Sequence, residues 1–90
     1  MKLSEQLYEY IIASDDLYEL FYNRIELFRY NNILTDVASY RVGVELYNFL
    51  NQIKRNKKNI NGLMFFLINN ELEVNDCVKT VKLLNNFFFN

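Results

Sequence analysis

Few side chains in this sequence could perform catalysis. The chain has no histidine, so a general acid or base active near neutral pH would have to be a carboxylate, a lysine or the single cysteine, Cys77. Cys77 follows Asp76 and precedes Lys79 at a predicted helix start, where the helix dipole can lower the pKa of a thiol. Because no histidine could act as its base, a buried structural thiol is the favoured interpretation. We predict no catalytic residues and no enzymatic activity.

The acidic side chains do not form a metal-binding motif. Asp15 and Asp16 are adjacent and Glu71 and Glu73 are close in sequence, but a calcium loop needs a denser series of oxygen ligands. Helix capping and solvated charge explain these pairs better. One cysteine without any histidine argues against a zinc site, and Gly62 alone cannot form a phosphate-binding loop. The sequence predicts no metal and no cofactor.

Tyrosines are concentrated in the first half of the chain. All seven lie within the first 47 residues, whereas later positions use Phe, Leu and Ile. A tyrosine ring gives a large contact area with a polar tip, and tyrosine and arginine are enriched at the hot spots of protein interfaces. We predict a partner-binding surface formed by Tyr18, Glu19, Tyr22, Glu26 and Arg29. The alternative is that the tyrosines fill a small core and that only their hydroxyl groups reach solvent.

Charge is distributed unevenly along the chain, although the net charge is only −1. Residues 1–50 contain eight acidic and four basic side chains, whereas residues 51–90 contain three acidic and six basic ones. The acidic first half would attract a partner with a basic surface. A nucleic-acid-handling protein, whose positive groove the chain could block, is such a partner.

A short basic segment contains Lys54, Arg55, Lys57 and Lys58. Such a segment could bind the phosphates of DNA, so a small helical DNA-binding regulator is the alternative function. Cations are also favoured at the C-terminus of any helix, and the chain lacks the pattern of a basic recognition helix. We therefore do not expect nucleic acid to be the main partner.

The composition favours helices. The 90 residues are 51% hydrophobic and include no proline and two glycines, so long uninterrupted elements are favoured over a turn-rich sheet. Apolar residues recur every three or four positions through the first 30 residues. We predict a single all-α domain, a small bundle of four to five short helices.

Polar residues mark the predicted boundaries in the first half. Ser14, followed by Asp15 and Asp16, is typical of a helix N-cap, so we place a helix break there. The alternative is one helix across residues 3–30. The dipeptide Asn31-Asn32 predicts a turn, because asparagine tolerates left-handed backbone.

The strongest helical pattern begins at Thr35 or Asp36. Its core positions repeat at helical spacing: Val42, Leu46, Phe49, Leu50 and Ile53, with Leu34, Ala38 and Arg41 earlier along the same side. Gly43 lies inside this helix, where glycine costs about 1 kcal/mol relative to alanine. Another backbone packing closely at Gly43 would explain its presence; the alternative is a tolerated glycine.

The second half contains one ambiguous segment. Residues 63–74 could form a buried helix or a short β-hairpin, and we favour the helix because a lone hairpin is only marginally stable. A final helix is predicted from about Cys77 to Phe88, capped by Asn75 or Asp76. The terminal triplet 87–89 consists of phenylalanines, which we expect to dock into the bundle or across a dimer interface.

Neither a signal peptide nor a membrane-spanning segment is predicted, and we expect a cytoplasmic protein without a membrane partner. The longest apolar run, residues 63–68, is six residues long, whereas a membrane-spanning helix needs about twenty. The fourteen asparagines, with abundant Ile, Lys, Tyr and Phe, indicate an AT-rich coding sequence, which is typical of low-GC bacteria and their phages.

In size, charge and lack of catalytic chemistry, the chain resembles the small inhibitors that phages and mobile elements direct against host machinery, including anti-CRISPR proteins. The resemblance is one of kind and covers no specific residues. It implies a non-enzymatic protein that binds a host defence complex stoichiometrically and occludes its surface. Small helical immunity proteins of bacteriocin producers have a similar length, but they tend to be basic. A structural or assembly subunit, or a homo-oligomer, is a further alternative.

Overall fold

Five helices account for most of the chain. A computed structural model describes all 90 residues and contains α1 (Leu3–Ala13), α2 (Asp15–Phe28), α3 (Asp36–Asn56), α4 (Leu63–Asn69) and α5 (Val74–Phe89). There is no strand, and a single antiparallel bridge joins Tyr30 and Ile33. The predicted all-α bundle of four to five helices is confirmed.

One residue separates α1 from α2. Ser14 has extended backbone, and its hydroxyl oxygen accepts a hydrogen bond from the backbone N–H of Leu17 at 3.4 Å. This bond satisfies one of the free N–H groups at the start of α2, while Asp15 and Asp16 lie where the helix dipole favours negative charge. The predicted break at Ser14 is confirmed, and the alternative of one helix across residues 3–30 is wrong.

A two-residue turn returns the chain from α2 to α3. Asn31 and Asn32 have φ angles of 51° and 63°. The flanking residues Tyr30 and Ile33 exchange two backbone hydrogen bonds, of 2.8 and 3.0 Å. Asparagine adopts left-handed backbone more readily than most residues, which is why the dipeptide predicts the turn correctly.

Helix α3 begins at one of the two predicted caps. The hydroxyl of Thr35 accepts a hydrogen bond from the backbone N–H of Ala38 at 3.1 Å. Four of the five predicted core positions are buried, and Phe49 is half-buried. The helical pattern read from the sequence therefore identifies the inner face of α3 from Val42 onward. Ala38 is buried as predicted, but Arg41 is exposed and its placement on this face is wrong.

Gly43 is a point of close approach between α3 and α5. A Cβ atom built on Gly43 would lie 2.6 Å from Cγ2 of Val78 and 2.9 Å from its Cα, distances that real Cβ atoms essentially never show. A side chain at this position would therefore force the two helices apart. The predicted close packing of another backbone at Gly43 is confirmed.

Residues 63–74 contain a short helix, and the hairpin alternative is wrong. Two side-chain amides close the C-terminal end of α4. Asn69 donates to the carbonyl oxygen of Phe65 at 2.7 Å, and Asn70 donates to that of Phe66 at 3.0 Å. The bond to Phe66 satisfies one of the four carbonyl groups that the end of a helix would otherwise leave free.

Helix α5 begins three residues earlier than predicted, at Val74. Its N-cap is Glu73, whose backbone N–H donates to the carboxylate of Asp76 at 2.9 Å. The expectation that Asn75 or Asp76 caps a helix starting near Cys77 is wrong. Asp76 acts instead from inside the first turn, as the third residue of a capping box does.

The core draws side chains from all five helices. Fifteen buried hydrophobic residues form one cluster: Leu7, Ile11, Leu17, Phe21, Ile25, Val42, Leu46, Leu50, Ile53, Leu63, Phe66, Leu67, Cys77, Val81 and Leu84. The buried hydroxyl of Thr80 lies 2.8 Å from the carbonyl oxygen of Ser4, which connects α5 to α1. No helix is both long and apolar enough to cross a membrane.

Candidate protein-binding surface

Helix α2 carries four of the five predicted partner-binding residues, and the fifth, Arg29, is its C-cap. Glu19 and Glu26 are exposed, Tyr18 is 38% exposed, and Tyr22 and Arg29 are half-buried. The two acids therefore point outward, while the tyrosines and the arginine lie along one edge of the helix. Helical spacing explains this arrangement, because Phe21 and Ile25 of the same helix face the core.

The C-terminal phenylalanines cover that edge of α2. The ring of Phe88 lies 5.0 Å from that of Tyr18 and 5.3 Å from that of Tyr22, edge to face in both cases. Phe89 stacks on Tyr22 at 5.1 Å, and Phe87 lies 6.0 Å from Tyr18. The three phenylalanines at 87–89 therefore dock into the bundle, which is one of the two positions predicted for them. Tyr18 and Tyr22 consequently support the fold as well as facing its surface.

Arg29 is also held within the molecule. Its guanidinium carbon lies 4.1 Å from the ring centre of Phe89, and Nη2 donates to the carbonyl oxygen of Asn32 at 2.6 Å. Its Nε atom is buried and has no hydrogen-bond partner. Arg29 therefore braces the end of α2 against the C-terminus and the following turn, and it lies at the margin of the predicted surface.

The outward side of α2 combines acids with leucines. Glu19 is followed by Leu20 and Glu26 by Leu27, and all four side chains are exposed. The two pairs are seven residues apart, about two helical turns, so they lie on the same side of the helix. Neither carboxylate takes part in an ion pair within the chain. We call these four residues, with Tyr18, the acidic–apolar face.

A shallow groove between α2 and α3 borders this face. An ion pair crosses the groove: Nε and Nη2 of Arg24 donate to the two carboxylate oxygens of Glu45 at 2.9 and 3.0 Å. These hydrogen bonds raise the pKa of Arg24, and desolvation opposes them. An open pocket of about 200 Å³ lies beside Leu20 on one side of the pair, and another of about 340 Å³ lies beside Phe28 on the other. The groove gives the acidic–apolar face a concave margin.

Further apolar side chains are exposed around the turn between α2 and α3. Tyr30, Ile33, Val37 and Tyr40 are between 57% and 75% exposed. None of these residues belongs to the surface predicted from the sequence, and neither do Leu20 and Leu27. The sequence does contain a signal for the two leucines. Neither lies on the side of α2 that carries its buried residues, and a large apolar residue on the other side of such a helix faces solvent.

The basic segment lies at the other end of α3. Lys54 and Arg55 occupy the last turn of the helix, Lys57 is its C-cap with a φ of 52°, and Lys58 follows. All four side chains are exposed, and none pairs with an acid. Since α3 has 21 residues and rises 1.5 Å per residue, the segment is about 30 Å from the start of the helix.

Cys77 is fully buried and unpaired. Burial, and to a lesser degree the carboxylate of Asp76, raise the pKa of its thiol from 9.0 to about 12. A neutral, inaccessible thiol is a poor nucleophile. The interpretation of Cys77 as a buried structural residue is confirmed.

Three of the four paired acids serve the helices, and Glu71 is an exposed residue between α4 and α5. Asp15 and Asp16 lie in the first turn of α2, and Glu73 precedes α5 as its N-cap. No group of three or more acidic, cysteine or histidine side chains is placed to hold a metal ion.

No protein-family model matches the chain, and comparison with curated proteins and with solved structures finds no match.

Proposed function

We propose that this chain is a non-enzymatic protein that binds another protein stoichiometrically and occludes part of its surface. The observation that supports this function is the acidic–apolar face, where exposed leucines and unpaired carboxylates alternate along α2. Apolar contact area stabilises a complex, and unpaired charges around it select the partner. The remaining helices hold α2 in place.

The partner in this proposal has a basic surface. Glu19 and Glu26 have no cation of their own within the chain, so a partner's lysines or arginines could pair with them. Leu20 and Leu27 would then be buried against apolar groups beside those cations. A nucleic-acid-handling complex of a host defence system, inhibited by a phage or mobile element, presents this chemistry.

The docked aromatic rings prepare the surface for binding. Tyr18 and Tyr22 of α2 already contact Phe88 of α5, so their side chains lose little further conformational freedom when a partner binds. This contact also changes which substitutions can test the proposal. Replacing both tyrosines by alanine would remove packing around the C-terminus, and it would confuse a loss of stability with a loss of binding.

Charge reversal at Glu19→Lys/Glu26→Lys is the sharper test. Both side chains are exposed, so the fold should be retained while affinity for a basic partner falls at least about tenfold. The wild-type chain, immobilised, would capture the partner from a lysate of the source cell, and affinities would then be measured with the purified partner. The matched control is Glu9→Lys/Glu71→Lys, which makes the same charge change at exposed positions outside the face.

The outcome distinguishes three cases. If the control keeps the wild-type affinity and Glu19→Lys/Glu26→Lys loses it, the acidic–apolar face is the contact. Equal affinities for all three chains would show that the partner binds elsewhere. Turnover of a substrate by the purified wild-type chain would refute the non-enzymatic function altogether.

A further inference from the structure

We propose that a second surface, at the junction of α3 and α4, docks on anionic lipid bilayers. This surface consists of the four cations of the basic segment and two exposed side chains of α4, Phe65 and Ile68. We call it the basic–apolar corner. It shares no residue with the acidic–apolar face and does not depend on the partner proposed for that face. The proposal departs from the expectation of no membrane partner, which was drawn from the absence of a membrane-spanning segment and did not consider binding at the bilayer surface.

The cations of the corner are held on an ordered backbone. The N–H of Lys58 donates to the carbonyl oxygen of Ile53 at 3.2 Å, and the N–H of Lys57 donates to that of Lys54 at 3.3 Å. This pattern, with left-handed backbone at Lys57, is a Schellman-type helix ending. It directs the chain out of α3 and leaves all four cationic side chains exposed without an acidic partner.

The connection then returns to the start of α4. The side-chain oxygen of Asn59, the residue after the basic segment, accepts a hydrogen bond from the backbone N–H of Met64 at 3.4 Å. Lys54 also lines a small pocket together with Leu67 of α4. One side of α4 is buried in the core, and Phe65 and Ile68 project from the opposite side with 73% and 68% of their surfaces exposed. The two residues are three positions apart, so they share one face of the helix.

A bilayer surface with acidic lipids matches both halves of this corner. Its headgroup phosphates attract clustered lysines and arginines, and its acyl boundary accepts exposed apolar side chains next to them. A nucleic acid would use the cations and could stack a base on Phe65, but it offers no apolar environment for Ile68. The pairing of an aromatic with an aliphatic side chain therefore favours the lipid surface.

Vesicle flotation tests the electrostatic half of the proposal. The full chain should float with vesicles of equal parts phosphatidylcholine and phosphatidylglycerol at low salt, and not with pure phosphatidylcholine. Lys57→Gln/Lys58→Gln should weaken partitioning about thirtyfold, since each cation near such a surface contributes about fivefold. The matched control is Lys2→Gln/Lys79→Gln, which removes the same charge at two exposed positions that do not belong to the corner and should keep wild-type partitioning to within about twofold.

A second pair of variants tests the apolar half. Phe65→Ser/Ile68→Ser should weaken partitioning at least about tenfold, because two buried apolar side chains are lost from the bilayer. Ile33→Ser/Val37→Ser removes apolar side chains of similar exposure from the other end of α3 and should have no effect. Circular dichroism would verify that each variant is folded.

Three outcomes would overturn the proposal. The first is no flotation of the wild-type chain with anionic vesicles at low salt. The second is an equal loss in the corner variants and their controls. The third is tighter binding to a random oligonucleotide than to vesicles, with that binding lost in Lys57→Gln/Lys58→Gln and kept in Phe65→Ser/Ile68→Ser, which would assign the corner to nucleic acid.

Discussion

The two sides of α3 are packed differently. On the side of α5, Gly43 allows the two backbones to meet at Val78, and buried side chains such as Leu46 and Val81 join the same core cluster. On the side of α2, the half-exposed ion pair between Arg24 and Glu45 has an open pocket on each side. Helix α2 is also contacted by rings at the end of α5, where Phe88 and Phe89 pack on Tyr18 and Tyr22.

This difference separates scaffold from surface. The α3–α5 contact fixes a distance between backbones that no side chain can enter, so it defines the bundle. Helix α2 buries Leu17, Phe21 and Ile25 and leaves both its outward side and its groove open. A helix attached in this way can present side chains to a partner without disturbing the central packing. The proposed binding function uses this open side.

Disrupting the close contact between α3 and α5 should have the largest effect on stability. Gly43→Ala places a methyl group against Val78, so we expect a loss of about 2–3 kcal/mol in the free energy of unfolding, although alanine favours helix more than glycine does. Urea denaturation would measure the loss. In a Val78→Ala background the cost should shrink, because Cγ2 is gone, and part should remain because the Cα atom is still close. Strictly additive effects would show that Gly43 does not set the distance between the helices.

Local sequence signals predicted most of the helix boundaries. Ser14, Asn31-Asn32 and Thr35 each act through bonds to residues a few positions away, so their roles can be read without knowing the fold. The start of α5 was misplaced because Asp76 can cap a helix from outside or accept a bond from inside its first turn. The sequence contains both possibilities, and only the backbone decides between them.

The candidate site was predictable only in part. Helical periodicity alone explains why Glu19 and Glu26 are exposed and why Tyr22 lies at an edge of α2. The rings that cover this edge come from residues more than 60 positions later, and no spacing pattern reports such a contact. A docked C-terminus therefore changed the role of the tyrosines from free binding groups to partly structural ones.

Removing one of the docked rings tests how α2 is supported. Phe88→Ala should lower the free energy of unfolding by about 2 kcal/mol, because the ring is half-buried and contacts both Tyr18 and Tyr22. The matched control is Phe65→Ala, whose ring is exposed and should matter by less than about 0.5 kcal/mol. Equal effects of the two substitutions in thermal and urea denaturation would mean that the C-terminal rings do not hold α2.

High pH should destabilise the fold through ionisation of Cys77, the buried thiol of α5. Burial raises the pKa of its thiol from the ordinary value of 9.0 to about 12, so between these values the unfolded chain binds fewer protons than the folded one. The free energy of unfolding should therefore fall as pH rises above 9, by about 1.4 kcal/mol per pH unit from this group. Below pH 9 this contribution to stability is fully present.

Other groups titrate in the same range, so the measurement is a comparison with Cys77→Ala. Urea denaturation of both chains from pH 8 to 11 should show a steeper decline for the wild-type chain. Parallel declines would indicate that the thiol ionises in the folded protein, and therefore that the packing around α5 admits water. That result would remove the contrast between the two sides of α3.

The smallest effect is expected on the side of α3 that faces α2, at the ion pair between Arg24 and Glu45. A double-mutant cycle with Arg24→Met and Glu45→Gln should give a coupling of about 0.5 kcal/mol, because both side chains are more than one third exposed and solvent screens their attraction. The more exposed pair of Lys82 and Asp36 provides the control, with a coupling near zero. A coupling above about 2 kcal/mol at Arg24 and Glu45 would be typical of a desolvated pair. Helix α2 would then be fixed to α3 as firmly as α5 is. The groove beside the acidic–apolar face would be a rigid contact between the two helices and could not change shape when a partner binds.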